Sequence, residues 1–171
     1  MLIEVTSLFH NLVPDLFVHD ISAIDLNKLK ENGISAVILD LDNTLDSHET
    51  KTPSARALSF LEELKADGFL VCVISNGKRR RVEAYLAGFE IPFVADAGKP
   101  LKKSYRKALN TLGCQQENTA FVGDQIFTDT WGANRMGLFT ILVEPIEAFE
   151  TPLFYIKRAL ERFVKAKLLK E

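Results

Sequence analysis

Cysteine is scarce in this sequence of 171 residues, which contains only Cys72 and Cys114 and has no CxxC pair. This argues against a disulfide framework, a zinc site or a dithiol redox centre, and we expect a reducing compartment. Long apolar runs are also lacking. No stretch approaches the roughly 20 residues that cross a bilayer, and the N-terminus lacks the basic and apolar segments of a signal peptide. We therefore expect a soluble, cytoplasmic protein.

An excess of charge of one sign is missing as well, because the formal net charge is -2. This balance gives no general attraction to nucleic acid, and we expect no nucleic-acid partner. The charge is nevertheless uneven, since residues 152–171 hold six Lys or Arg against two Glu.

The C-terminal segment has the pattern of a basic amphipathic helix at about 152–170. Its apolar stripe consists of Ile156, Leu160, Phe163, Val164 and Leu168. Such a helix could lie on an anionic membrane, or it could pack its stripe on the rest of the protein. No repeat or Pro/Gly-rich linker interrupts the chain, so we predict one domain over 1–171.

Short apolar runs alternate with helical patterns along most of the chain. Strands are predicted in the segments 36–39, 69–74, 93–95, 120–122 and 138–143. Helices are predicted at 25–31, 53–67, 78–87, 102–112 and 128–136. The first twenty residues are apolar without a period and contain Pro14, and no element is predicted there. The alternation indicates an α/β fold with a doubly wound parallel sheet.

The segment Ala36 to Leu45, AVILDLDNTL, carries the strongest functional signal. It reads as a buried strand followed by Asp40 and Asp42, at the sheet edge where ligands bind in such folds. Two carboxylates so close together repel each other unless a cation lies nearby, which suggests a divalent metal site with a nucleophile and a proton shuttle. A solvated turn and a calcium loop are the alternatives, although a calcium loop would have glycine where Leu45 stands.

Polar segments follow three further predicted strands: Ser75-Asn76-Gly77, Gly98-Lys99-Pro100, and Gly123-Asp124 with Asp129. The serine hydroxyl and free amides suit phosphate oxygens, and the lysine suits a phosphoryl group. Asp124 is placed for metal binding, and Asp129 could support the metal or orient Lys99. Each segment also has a structural interpretation: a helix cap for Ser75 and Asp124, and an ordinary surface lysine for Lys99.

Together these segments resemble the haloacid dehalogenase-like (HAD) phosphatase superfamily. AVILDLDNTL is similar to its first motif, LVCVIS to its second, Lys99 in GKP to its third and FVGDQIFTD to its fourth. The resemblance covers about Ala36 to Val143 and implies a Rossmann-like HAD core. The segments DLDNTL, SNGK, GKP and GDQIFTDTWGANRMG further resemble the YqeG type of subfamily IIIA, a group related to phosphatidylglycerophosphate phosphatases.

The resemblance also implies a role for each site residue. Asp40 would be the nucleophile that forms an aspartyl-phosphate, and Asp42 the general acid and base. Mg²⁺ would be held by Asp40, the Asp42 backbone carbonyl and Asp124. Ser75, the Asn76 backbone amide and Lys99 would hold the phosphoryl oxygens.

The spacing of the motifs leaves no room for a cap domain, because residues 41–74 and 76–98 are each filled by one predicted helix and one strand. An open site suits a large substrate, such as a lipid headgroup at a membrane or a macromolecule. We therefore expect a magnesium-dependent phosphatase of a lipid phosphate such as phosphatidylglycerophosphate, with peripheral membrane contact through the C-terminal helix. A soluble sugar or nucleotide phosphate, a phosphoprotein, and a HAD-like binding module with little turnover are the alternatives.

Overall fold

Strands and helices alternate through residues 10–147, the part of the chain that the computed structural model describes. The strands are β1 (Leu16–Val18), β2 (Ala36–Leu39), β3 (Leu70–Ile74), β4 (Phe93–Val94), β5 (Thr119–Gly123) and β6 (Phe139–Val143). The helices are α1 (Leu26–Glu31), α2 (Ala55–Ala66), α3 (Arg79–Tyr85), α4 (Lys102–Leu112) and α5 (Trp131–Asn134). The strands form one parallel sheet in the order β1-β6-β5-β2-β3-β4, which confirms the predicted doubly wound α/β fold.

Both faces of the sheet are covered by helices. Because successive side chains of a strand point to opposite faces, each central strand contributes to both cores. Val37 and Leu39 of β2 belong to a core that includes side chains of α1, α2 and α3. Ile38, between them, belongs to a second core built with α4 and α5. Burial on both faces explains why the central strands are continuous apolar runs.

The helix ends follow local sequence signals. The Ser54 hydroxyl accepts a hydrogen bond from the Ala57 N–H at 3.2 Å at the start of α2. At the other end of a helix, Gly113 ends α4 with a φ of 68°, a left-handed conformation that glycine adopts without steric cost. These caps set the lengths of the connections that return the chain to the sheet.

Little chain is inserted between the strands that carry the site, as the spacing predicted. Residues 41–74 contain a loop, α2 and β3, and residues 76–98 contain α3 and β4. Within the described residues, no separate domain covers the carboxyl edge of the sheet at these connections. Over residues 10–147 the fold is therefore capless, in agreement with the prediction.

Two parts of the fold differ from the prediction. The first is β1, which was missed because it has three half-exposed residues at the edge of the sheet, where no alternation is visible. The second is the predicted helix 128–136, which instead comprises a turn of π-helix at Ile126–Thr130 and the short α5. In that turn the Gln125 carbonyl accepts from the Asp129 N–H at 2.9 Å and from the Thr130 N–H at 3.2 Å.

The predicted amphipathic helix at about 152–170 lies outside the described residues. Within 10–147, none of the helices has both the length and the apolar character that crossing a bilayer requires.

Candidate active site

The ends of four strands bring the predicted site residues to one edge of the sheet. Leu39, the last residue of β2, is in register with Val73 of β3 and Val122 of β5. Because the strands are parallel, the loops that follow them leave the sheet on the same side. The edge therefore gathers the polar residues that follow β2, β3, β4 and β5, which are Asp40, Asp42, Ser75, Asn76, Lys99, Asp124 and Asp129.

Lys99 lies between two carboxylates at the centre of the site. Its Nζ is 2.6 Å from Asp40 Oδ1 and 2.8 Å from Asp129 Oδ1. The side chains of Lys99, Asp40 and Asp129 are only 2%, 5% and 1% exposed, respectively. The interpretation of Lys99 as an ordinary surface lysine is therefore wrong. A lysine that is almost fully buried needs such partners, because an unpaired buried charge is strongly disfavoured.

The backbone around these residues fixes their positions. The Lys99 N–H donates to Asn76 Oδ1 at 2.8 Å, so the loop after β3 anchors the loop that carries the lysine. Asp40 Oδ1 also accepts from the Leu41 N–H at 2.7 Å. Asp129 Oδ2 accepts from the Gln125 N–H at 3.0 Å, a contact made within the π-helical turn. Each carboxylate is thus oriented by a donor that does not depend on a ligand.

Three carboxylates converge in a way that suits a divalent cation. One oxygen each of Asp40, Asp124 and Asp129 lies within 4.8 Å of the others, and all three residues are buried. The ligands predicted from the resemblance are Asp40, the Asp42 backbone carbonyl and Asp124, with Asp129 in a supporting position, whereas the structure also brings the Asp129 carboxylate into the cluster. An all-oxygen donor set of carboxylates is what Mg²⁺ prefers.

The electrostatics of this cluster are dominated by burial. Burial raises the pKa of Asp40 well above its ordinary value; Lys99 opposes the rise, while Asp129 and Asp124 add to it. For Lys99 burial acts in the opposite direction and lowers the pKa, but the neighbouring carboxylates of Asp129 and Asp40 outweigh it. The net pKa of Lys99 is raised, so the ammonium stays protonated throughout the neutral range.

Asp42 lies beside this cluster and is held by different partners. Arg81 Nη1 is 2.6 Å and His48 Nδ1 is 3.1 Å from Asp42 Oδ1. The Ser75 hydroxyl donates to Asp42 Oδ2 at 3.2 Å and accepts from the Gly77 N–H at 2.9 Å. Ser75 therefore bridges the loops after β2 and β3. It is not the N-cap of α3, because that position is held by Lys78, whose side chain makes no capping hydrogen bond.

Two of these partners, Arg81 and His48, were missed by the sequence analysis. Arg81 is the last of three consecutive arginines at 79–81, and only its side chain among them turns toward the site. Helical periodicity indicates that one of these three arginines faces the sheet edge, but the sequence does not show that it would contact the Asp42 carboxylate. His48 carries no motif signal in the sequence.

Comparisons with known proteins identify the family of the chain. A model of a family described as haloacid dehalogenase-like hydrolase matches residues 14–137, and the chain belongs to that family. Within it, the chain is 35% identical over 156 residues to the protein named "Probable phosphatase YqeG" of Bacillus subtilis (strain 168), covering 91% of each chain. The chain is a phosphatase of the HAD type, that is, a phosphoric monoester hydrolase.

A second relative is larger than this chain. Phosphatidylglycerophosphate phosphatase 1, chloroplastic/mitochondrial, of Arabidopsis thaliana is 28% identical over 166 residues, which cover 92% of this chain and 47% of that protein. Among solved structures, the cobalt-bound form of the deoxy-D-mannose-octulosonate 8-phosphate phosphatase of Haemophilus influenzae has a TM-score of 0.55 at 17% identity. The match covers 82% of this chain and 92% of that one, and it shows that the two share a fold.

Proposed function

We propose that this chain is a magnesium-dependent phosphomonoester hydrolase that forms an aspartyl-phosphate on Asp40 and acts on a lipid phosphate such as phosphatidylglycerophosphate. The observation that carries the proposal is the buried Lys99 ammonium between Asp40 and Asp129, with the Asp124 carboxylate in the same cluster. This arrangement provides a fixed carboxylate nucleophile, a fixed positive charge and a place for a cation, which is what phosphoryl transfer requires of a protein.

In the first half of the reaction, a carboxylate oxygen of Asp40 attacks phosphorus while the bond from phosphorus to the leaving oxygen breaks. The carboxylic acid of Asp42 gives its proton to that oxygen, and the alcohol leaves. Lys99 and the Asn76 backbone amide hold the transferring oxygens, and the Ser75 hydroxyl joins them when it turns from Asp42 Oδ2 to the bound phosphoryl group. Lys99 and the Leu41 N–H both contact Asp40 Oδ1, so the orientation of the nucleophile is fixed before the substrate arrives.

In the second half, the Asp42 carboxylate takes a proton from water, and the water oxygen attacks phosphorus. The bond between phosphorus and the Asp40 oxygen breaks, which releases inorganic phosphate and restores both carboxyl groups. Asp42 lies at the open side of the cluster, where its side chain is 20% exposed and water can reach it.

The residues that would hold Mg²⁺ are Asp40, Asp124 and the Asp42 backbone carbonyl. The three buried carboxylates of Asp40, Asp124 and Asp129, each with an oxygen within 4.8 Å of the others, fit Mg²⁺ because this ion prefers oxygen ligands. A bound Mg²⁺ supplies charge neutralisation for the phosphate as it approaches the carboxylates. Asp129, which is paired with Lys99, keeps that lysine in position.

The lipid substrate is supported by two arguments. A relative that matches 92% of this chain is named a phosphatidylglycerophosphate phosphatase. In addition, no domain covers the site within the described residues, so a headgroup in a bilayer could reach it. The proposal places the protein in the cytoplasm with peripheral contact at an anionic membrane.

The experiment that tests this function measures phosphate release from phosphatidylglycerophosphate in mixed micelles, with Mg²⁺ and with EDTA. A panel of soluble sugar, nucleotide and protein phosphomonoesters is measured beside it. We expect Mg²⁺-dependent release that strongly favours the lipid. Activity confined to soluble esters would refute the lipid substrate, and equal activity in EDTA would refute the metal requirement.

The covalent intermediate needs a separate test. Substrate labelled at the transferred phosphorus should leave label on the wild-type protein after rapid quenching in acid. The label should be released by hydroxylamine, which cleaves acyl phosphates, and the Asp40→Asn variant should carry none. Label that resists hydroxylamine would contradict the aspartyl-phosphate.

A further inference from the structure

Arg81 contacts both the Asp42 carboxylate and the backbone of the loop that follows Asp42. Its Nη1 lies 2.6 Å from Asp42 Oδ1. Its Nε and Nη2 donate to the His48 carbonyl at 3.0 and 2.6 Å, and Nη2 also reaches the Ser47 carbonyl at 3.5 Å. One guanidinium therefore joins α3 to both the carboxylate and the backbone of the loop that follows it.

The other oxygen of Asp42 is fixed from the opposite side by the Ser75 hydroxyl. Gly77 closes this cluster. A Cβ at position 77 would lie 2.9 Å from Ser75 Oγ, 3.4 Å from Asp42 Oδ2 and 3.5 Å from Arg81 Nη1. The absence of a side chain at Gly77 therefore allows the three groups to pack together. Asp42 Oδ1 is thus paired with the Arg81 guanidinium and hydrogen-bonded to His48 Nδ1 at 3.1 Å, while Oδ2 accepts from Ser75, so both oxygens of the carboxylate are held.

We propose that Arg81 is the positioning residue of Asp42, and that it sets the direction in which Asp42 exchanges protons with the leaving oxygen and with water. This inference rests on the proposed role of Asp42 as acid and base. The guanidinium suits the task because its planar fork holds several donors in fixed directions, whereas a lysine has one point charge on a flexible stem. Misplacing a catalytic group by about 1 Å can reduce a rate by about a hundredfold.

The dependence on the leaving group distinguishes positioning from general support of the fold. A nitrophenolate leaves phosphorus without needing a proton, whereas the alkoxide of phosphatidylglycerophosphate needs one. We define the selectivity ratio as kcat/KM for phosphatidylglycerophosphate in micelles divided by kcat/KM for p-nitrophenyl phosphate. Both values come from the same preparation, so the fraction of correctly folded enzyme cancels from the ratio.

The experiment compares wild type, Arg81→Gln, Asp42→Asn and the double variant, with Arg80→Gln as the matched control. Arg80 is adjacent and exposed, and it carries the same charge. We expect Asp42→Asn to lower the ratio by about 10²-fold or more, in the range that acid–base catalysis supplies. We expect Arg81→Gln to lower it by about tenfold, and Arg80→Gln to leave it within about twofold of wild type.

The double variant provides the decisive comparison. If Arg81 acts through Asp42, removing Arg81 from the Asp42→Asn protein should change the ratio no further, because residues that act as a unit are non-additive. Equal losses on both substrates in Arg81→Gln, or multiplicative losses in the double variant, would overturn the inference while leaving the role of Asp42 intact. An unchanged ratio in Asp42→Asn would overturn that role and this inference together.

Discussion

Replacing Lys99 by methionine removes the ammonium from the buried cluster with little change in side-chain length. In the wild-type protein this ammonium lies 2.6 Å from Asp40 Oδ1 and 2.8 Å from Asp129 Oδ1. Without it, the cluster retains three buried carboxylates, those two and Asp124, within 4.8 Å of one another. Removing one partner of a buried ion pair costs about 3–5 kcal/mol, a large part of the stability of a typical domain. In EDTA we expect the free energy of unfolding to fall by that amount, and we expect the variant to have no turnover.

The loss of stability in Lys99→Met should depend on pH, and the direction of this dependence follows from the pKa of Asp40. Burial raises this pKa, Lys99 opposes the rise, and Asp129 and Asp124 add to it, so removing Lys99 raises it further. A carboxyl group whose pKa is raised on folding contributes stability below its unfolded value of 3.8. That contribution is lost as the pH rises through the folded pKa. The Lys99→Met variant should therefore be closer to wild type near about pH 5 than near about pH 8.

Urea unfolding followed by circular dichroism, at both pH values and in EDTA, measures the difference. Lys103→Met is the matched control, because Lys103 is an exposed lysine in α4. It should match wild type within about 0.5 kcal/mol at both pH values. A Lys99→Met variant as stable as wild type near about pH 8, or a loss that does not change with pH, would refute the assignment of Lys99 as the counter-ion of buried carboxylates.

Three further substitutions test other parts of the site and its support. Asp40→Asn should abolish phosphate release without lowering the melting temperature, and near-normal activity would exclude Asp40 as the nucleophile. Gly123→Ala should lower kcat about tenfold or more, since its Cβ would lie 2.6 Å from the Cβ and Cγ of Asp129; unaltered kinetics would show that the position of Asp129 is unimportant. Burial opposes the lowered pKa of Asp20, but hydrogen bonds from Ser22 and the charge of Arg56 outweigh it. Its stabilisation is present above the ordinary value of 3.8 and is lost as pH falls through the folded pKa. Asp20→Asn should thus cost about 0.2–1 kcal/mol at neutral pH and less in acid by urea titration; a constant cost would contradict this.

The sequence predicted the strands whose formation depends mainly on their own burial. β2, β3, β5 and β6 are mostly apolar and largely buried, and their observed positions agree with the prediction to within a residue. β1 depends on distant partners instead. The Thr140 N–H donates to Asp15 Oδ2 at 2.7 Å, which attaches the residue before β1 to the start of β6. A contact between residues 125 positions apart leaves no local pattern to read.

In the candidate site, too, features with a local sequence pattern were predicted and contacts between distant residues were not. The placement of Asp40 and Asp124 at one edge follows from the ends of two apolar strands, and this was visible in the sequence. The burial of Lys99 was not visible in the sequence, because it depends on contacts between loops that follow different strands. The contact of Arg81 with Asp42 likewise depends on how α3 packs beside the β2 loop. Side-chain partners of this kind require the three-dimensional structure.

The strand order explains why these partners meet around β2. Since β2 lies between β5 and β3, the loop that follows it receives contacts from both sides. From the side of β3 and β4, Lys99 joins Asp40, and Arg81 and Ser75 join Asp42. From the side of β5, Asp124 and Asp129 place carboxylate oxygens beside Asp40. Asp40 and Asp42 thus have different cationic partners, Lys99 and Arg81, although they lie in the same loop. In the mechanism that we propose, the nucleophile and the proton shuttle therefore lie two residues apart, each with its own charge partner.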